Sequence, residues 1–218
     1  MPVTTTHPDY DRHLPEWQAI DAALAGEAAI KKNAANLPKP SGMVAAEKID
    51  SDNAYLYKGY TERAQYEHWV RDSLRSMMGL VSRLQPEIEL PKGMEYMREN
   101  ATDDGFSLRQ LFMRVVRQIV SHGRVPLLVN VDDKSMAYVT AYQAENAINW
   151  KLGDQDGRND LILAVMRETR PADDSDEFSH EVDTVYRVLL MRDGVCVTRV
   201  EDEDGNVVEE ERSLGASD

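Results

Sequence analysis

The chain has 218 residues, 42% hydrophobic and 29% charged, and its 39 acidic against 25 basic side chains give a formal net charge of −14. That size suits one medium domain or two small ones, and no apolar run reaches the roughly 18 residues that a membrane span needs. The charge speaks against a protein that grips nucleic acid by its phosphates, because basic groups displacing counterions drive that binding. An acidic wall lets a polyanion pass without sticking; from charge alone it means solubility and self-repulsion.

The opening "MPVTTTHPDYDRH" lacks the charged-then-apolar layout of a signal peptide. Cys196 is the only cysteine. No internal disulfide is therefore possible, and a reducing intracellular setting is the simplest inference.

In chain order, His13 to Asn36 reads as a helix carrying Trp17, Ile20, Leu24 and Ile30, with Pro15 in its first turn. "LPKPSG", Leu37 to Gly42, ends it. Thr61 is a plausible N-cap for the next helix, in which Tyr66, Val70, Leu74, Met77, Val81 and Leu84 recur at steps of three and four and line one face. Pro86 closes that helix. "PEIELP" is an extended connector, and "KGMEYMREN" a brief helix. Ser107 with Gln110 forms a capping box, and Phe106 with Leu111 is placed for a hydrophobic staple. The apolar stripe from Leu108 to Val120 then predicts a helix over Ser107–Ser121, stopped by Gly123.

After Gly123 the hydrophobic period changes from about 3.6 to 2. "VPLLVNV", "MAYVTAY", "NAINWK", "DLILAVMRET", "DTVYRVLLMR", "VCVTRVED" and "NVVEEERS" read as seven successive strands. Asp193-Gly194 marks a hairpin turn, and Asp204-Gly205 another break. "LGDQDGRND" reads as a solvated turn. "PADDSDEFSH" reads as an acidic loop whose segment Ala172 to Glu177 is expected to be open to proteases. Helices first and an antiparallel meander second indicate an α+β fold: residues 1–123 form the helical part and residues 124–218 the β part.

Familiar catalytic signatures are missing. There is no phosphate-binding loop, no dinucleotide fingerprint and no nucleophile elbow. The histidines His7, His13, His68, His122 and His180 are scattered, with no partner at i+4. Ser121 and His122 are neighbours, and adjacent residues are not expected to aim at each other as a catalytic pair. Cys196 inside a strand reads as a small buried hydrophobe. Asp154, Asp156 and Asp160 could offer oxygens to calcium, but position twelve of that loop is Val165, so the EF-hand pattern fails. "EDEDGNVVEEE" fails similarly. Arg63, Arg71, Arg75 and Arg83 read as the wet face of the helix that carries the Tyr66–Leu84 stripe, or as subunit contacts. No catalytic residue, cofactor or metal site is expected. The competing enzyme reading is a metal-dependent hydrolase using Asp154, Asp156 and Glu168.

Several stretches resemble one family. "HPDYDRHLPEWQAIDAALAGEAAIKKNAANLPK" is similar to the opening of tailed-bacteriophage portal proteins of one portal-like branch. Tyr60, Arg63, Tyr66, Gly79, Leu80, Val81, Pro86, Ile88, Leu90 and Pro91 match its next segment. "LRQLFMRVVRQIVSHGRVPLLVNVD" looks like its helix-Gly-strand joint, and "YVTAYQAENAINWK" is similar to its Y-x-A-E-x-I-x-N-W signature. The resemblance covers essentially the whole chain and implies the wing region of a portal subunit, with Trp150 re-entering the wing core. It implies a homo-oligomeric ring, typically a dodecamer, at one capsid vertex of the virion, assembled in the host cytoplasm. Viral double-stranded DNA would be packaged and ejected through it without sequence-specific binding. The implied partners are the major capsid protein, the terminase packaging motor and a head-tail adaptor, with no membrane and no catalytic step. Family members continue into clip, stem and crown elements that this stretch lacks. It is therefore read as the front portion of a longer polypeptide, and no DNA-contacting residue carries over. The alternative is another acidic virion or head-completion protein.

Overall fold

The computed structural model describes residues 2–84, 86–132, 134–155, 158–172, 178, 180–192 and 194–214. The helices come first and the antiparallel strands follow, so the fold is α+β as expected. The change from helix to strand falls at Gly123. The chain divides into two compact units, one of Met1–Pro15 with Gln85–Asp218, the other of Glu16–Leu84.

Helix α1 spans Pro8–Ala25, starting earlier than the expected His13. Pro8 takes the first helical position, where its missing N–H costs nothing. Pro15 therefore lies inside the helix, not in its first turn. Gly26 then breaks the single helix that the alanine-rich run suggests. Its φ is 101°, and a Cβ there would lie 2.6 Å from His68 Cε1. Helix α2, Glu27–Lys32, resumes beyond it.

"LPKPSG" does end that helical run, but it also opens another. Helix α3 spans Ser41–Ile49, and a 3₁₀ turn at Ser51–Asn53 leads into helix α4, Ala54–Arg63. Thr61 lies within α4 and is no N-cap; its hydroxyl donates back to the carbonyls of Tyr57 and Lys58. Residues 64–68 are not helical, and helix α5 is Trp69–Ser82. Tyr66, outside α5, donates from its hydroxyl to Ala23 O. Tyr57 donates to Leu37 O at 2.7 Å. Trp17 and Leu74 are the buried apolar anchors of this unit.

The other unit holds the strands. "KGMEYMREN" forms a 3₁₀ segment, Lys92–Arg98. Helix α6 is Leu108–His122, within one residue of expectation. Its capping box is formed: Ser107 Oγ accepts from Gln110 N, and Gln110 Oε1 accepts from Ser107 N. Gly123 closes it at φ 77°.

All seven strands form in the expected order, split between two sheets. Strands β1, Leu127–Val131, and β2, Ala137–Ala141, make a two-stranded hairpin. Strands β3, Ala147–Gln155; β4, Arg158–Pro171; β5, Val182–Arg192; β6, Val195–Glu201; and β7, Val207–Leu214, pair sequentially as a five-stranded antiparallel meander. The stretch "LGDQDGRND" is mostly not a loop: Gly153 pairs with Asp160, Asp154 with Asn159 and Gln155 with Arg158. A polar stretch can form a hairpin arm because ladder hydrogen bonds do not need a core beneath them. Asp156, Asp193 and all of Ala172–Glu177 except Ala172 lie outside the described residues.

Leu128, Tyr142, Ala147, Ala164 and Met166 form one buried cluster, with Leu189 packed against it. Ala164, Val165 and Met166 are consecutive and all buried. Successive strand residues point to opposite faces, so β4 is covered on both sides there.

Candidate functional site

The N-terminal segment is fastened to the start of β3. The register of β3 slips between Ala147 and Asn149. A bulge frees backbone groups from the ladder, and Ile148 O accepts a hydrogen bond from His7 N at 2.9 Å. Asn149 Nδ2 donates to Thr5 O, and Tyr10 OH to Glu145 O. The His7 ring stacks on Trp150 with centroids 4.0 Å apart and planes 17° from parallel. Its Nδ1 also accepts from Asp9 N, so it serves as the cap of α1. The Arg124 guanidinium lies 4.8 Å from the Trp150 centroid and donates to Ala144 O and Ala147 O. Ala147 and Ile148 enter the core while Trp150 stays half-buried. A large aromatic follows the polar bend because it forms the platform for the N-terminus.

Beside this lies an open cavity of ≈ 350 Å³, lined in part by Asn130, Tyr138, Tyr142, Glu168, Arg170 and Arg187. Glu168 is its electrostatic centre. Its Oε1 accepts from Tyr142 OH at 2.6 Å and Arg187 Nε at 2.6 Å. Its Oε2 accepts from Arg187 Nη2 at 3.1 Å and Arg170 Nη2 at 3.4 Å. Four acceptor positions of the carboxylate are thus used. Burial pushes the Glu168 carboxyl up, but the hydrogen bonds from Arg187 and Tyr142 outweigh it and hold it below the usual range. Burial and the adjacent carboxylate both push the Tyr142 phenol up. Arg170 also reaches Glu209. The carboxylate is fully paired, while Arg187 Nη1 and Asn130 Oδ1 in the same cavity are buried without a hydrogen-bond partner.

Asp154 and Glu168, two of the three carboxylates of the hydrolase reading, lie far apart. Asp154 pairs with Asn159, nine positions along β4 from Glu168, which is roughly 30 Å at ~3.3 Å per residue. Asp156 lies outside the described residues. Among the described residues no group of three or more His, Cys, Asp or Glu is placed to hold a metal.

Ser121 and His122, against expectation, do touch: Oγ lies 2.7 Å from Nδ1. Ser121 Oγ also lies 2.8 Å from Arg117 O. A hydroxyl has one proton, so Arg117 O and His122 Nδ1 compete for it, and the tautomer of His122 sets which way that contact runs. Cys196 is half-buried in β6, its thiol pushed up by burial. Arg63 lies in α4, while Arg71 and Arg75 lie in α5.

Among the described residues, two exposed apolar surfaces stand out. In α5, Leu74 is buried, but Trp69, Val70, Met77 and Leu80 are exposed, Trp69 at 76% and Leu80 at 66%. At 3.6 residues per turn these four fall within roughly 100° of one another. Leu84, just past the helix, is exposed as well. The second surface is the β1–β2 hairpin. Strand β1 buries Leu128 and Asn130 and exposes Leu127, Val129 and Val131. Their cross-strand partners Ala141, Val139 and Ala137 share that face, so it carries no polar side chain.

No helix among the described residues is long and apolar enough to cross a membrane. No protein-family model matches the chain, and no curated protein matches it.

Proposed function

We propose that this chain is a subunit of a tailed-phage portal, the head-tail connector ring at a capsid vertex through which viral DNA is packaged and ejected. The observation that carries the reading is the exposed apolar stripe of α5 on a chain of net charge −14. A contiguous exposed apolar stripe on so acidic a chain marks a surface made for neighbours. Ring subunits need contacts of that kind on both sides.

Three further features support it. The resemblance to portal wing sequences runs the length of the chain. The acidic balance suits a conduit that must not hold a polyanion. Glu168, the carboxylate with the richest set of partners in the cavity, is consumed by ion pairing, which fits a structural role better than a catalytic one. In this reading the ring is homo-oligomeric, a dodecamer in the family pattern. It meets the major capsid protein around its rim and the terminase motor and head-tail adaptor through other portal regions. The chain itself performs no chemical step.

The experiment is to label the chain in intact particles with gold-tagged antibody. One labelled vertex per particle supports the portal reading. Label on every vertex or along the tail contradicts it and favours another acidic virion protein.

A further inference from the structure

We propose that the α5 stripe of one copy packs on the outer face of the β1–β2 hairpin of a second copy, so that the chain associates head to tail. The inference deepens the ring reading and rests on it for the kind of assembly. The two surfaces themselves are read from this chain alone.

The hairpin is the first argument, because its polarity is inverted. A two-stranded ribbon with one wet face turns its polar residues to that face. Here Asn130 is buried at 6% exposure while Val129 is 61% exposed. Leu127, Val129 and Val131 line up at period 2, and the residues opposite them are Ala141, Val139 and Ala137. Such a face is flat, apolar and shaped to take another layer.

Area is the second argument. With ~200 Å² for a large apolar side chain, the exposed parts of Trp69, Val70, Met77, Leu80 and Leu84 come to roughly 600 Å². That is the upper end of the patches found on monomers, which are often functional. It also matches the apolar core of an interface of about 800 Å² per partner.

Shape and charge select the arrangement. One surface is a helix stripe and the other a sheet face, and a helix laid on a sheet is a stable layer pair. Contact between unlike faces of identical chains is heterologous, the type that generates closed rings or open chains. Copies carrying −14 each repel one another. Association is therefore favoured where both faces lack carboxylates, as these two do.

Sedimentation velocity of the whole chain tests this with two variants, Leu80→Glu and Val129→Glu. Both positions are exposed, so each variant should fold, which circular dichroism checks. The unmodified chain should form concentration-dependent oligomers. Each variant alone should associate at least about tenfold more weakly, because a carboxylate would be desolvated in the contact. An equimolar mixture should form a dimer and stop there, since one good face remains on each partner. If Val129→Glu associates like the unmodified chain while Leu80→Glu does not, α5 pairs with α5 and the proposal is overturned. If neither variant weakens association, the faces are wrong while the ring reading stands. A monomer at every concentration also overturns the proposal; the rotational symmetry of the particle then decides the ring reading separately.

Discussion

Arg187 on β5 grips Glu168 on β4 through two hydrogen bonds, Nε to Oε1 at 2.6 Å and Nη2 to Oε2 at 3.1 Å. Their side chains are 10% and 15% exposed, and Tyr142, at the end of the β1–β2 hairpin, reaches the same carboxylate. The hydrogen bond from Tyr142 to Glu168 therefore ties the end of the small hairpin to the five-stranded sheet. Removing one partner of the Arg187–Glu168 pair strands a buried charge, which typically costs about 3–5 kcal/mol. Arg187→Met should lower stability by about 3 kcal/mol in urea titration. A loss within 0.5 kcal/mol would mean the pair is solvated.

The same carboxyl sets an acid limb. Glu168 is held below the ordinary carboxylate range, so folding favours its ionised form. Its contribution is complete above the unfolded value of about 4.3 and is lost as pH falls through the folded value. Stability of the unmodified chain should fall below about pH 4.5, and Glu168→Gln should flatten part of that fall. An unchanged slope in the variant would assign the acid limb to other carboxylates.

Capping at α6 gives a local test. Ser107 and Gln110 exchange side-chain to backbone hydrogen bonds. Ser107→Ala should cost about 1 kcal/mol, read as a lower thermal midpoint. No shift would show that α6 does not depend on its cap.

Gly26 separates α1 from α2 at φ 101°, with a would-be Cβ 2.6 Å from the His68 ring. Gly26→Ala meets both the left-handed backbone cost and the clash, and should destabilise by about 1–3 kcal/mol. A neutral or stabilised variant would mean that the two helices merge into one, as the alanine-rich sequence alone suggests.

Stacking of His7 on Trp150 predicts where the N-terminus loosens first. Trp150→Ala should speed hydrogen exchange at the backbone amides of His7 and Asp9 by about tenfold or more, while amides of β5 stay protected. Uniform acceleration across the sheet would instead make Trp150 a core residue.

Much of this fold is legible in the sequence, and the exceptions have physical causes. The capping box and Gly123 fix α6 within one residue, because both signals act locally. The strand order follows from the alternating periods. Helix α3 goes unread because Pro38, Pro40 and Gly42 signal an end as strongly as a beginning. Pro15 points to a late helix start because the better-placed Pro8 lies only seven residues earlier. The long β3–β4 arm is hidden because its tip is polar and needs no core. Orientation of β1 is unreadable: "LLVNV" is apolar at nearly every position, so neither face is marked. The Glu168–Arg187 pair is invisible as chemistry, since 19 residues separate its members, yet a charge in the middle of each apolar strand is the trace it leaves.

The most direct measurement is electron microscopy of the particle or complex that contains this chain, classified with rotational symmetry left free. A portal subunit requires a closed ring near twelvefold, with this chain in its outer wing. A monomer, or an oligomer that is not a ring, contradicts the portal assignment and leaves an acidic virion component as the better reading.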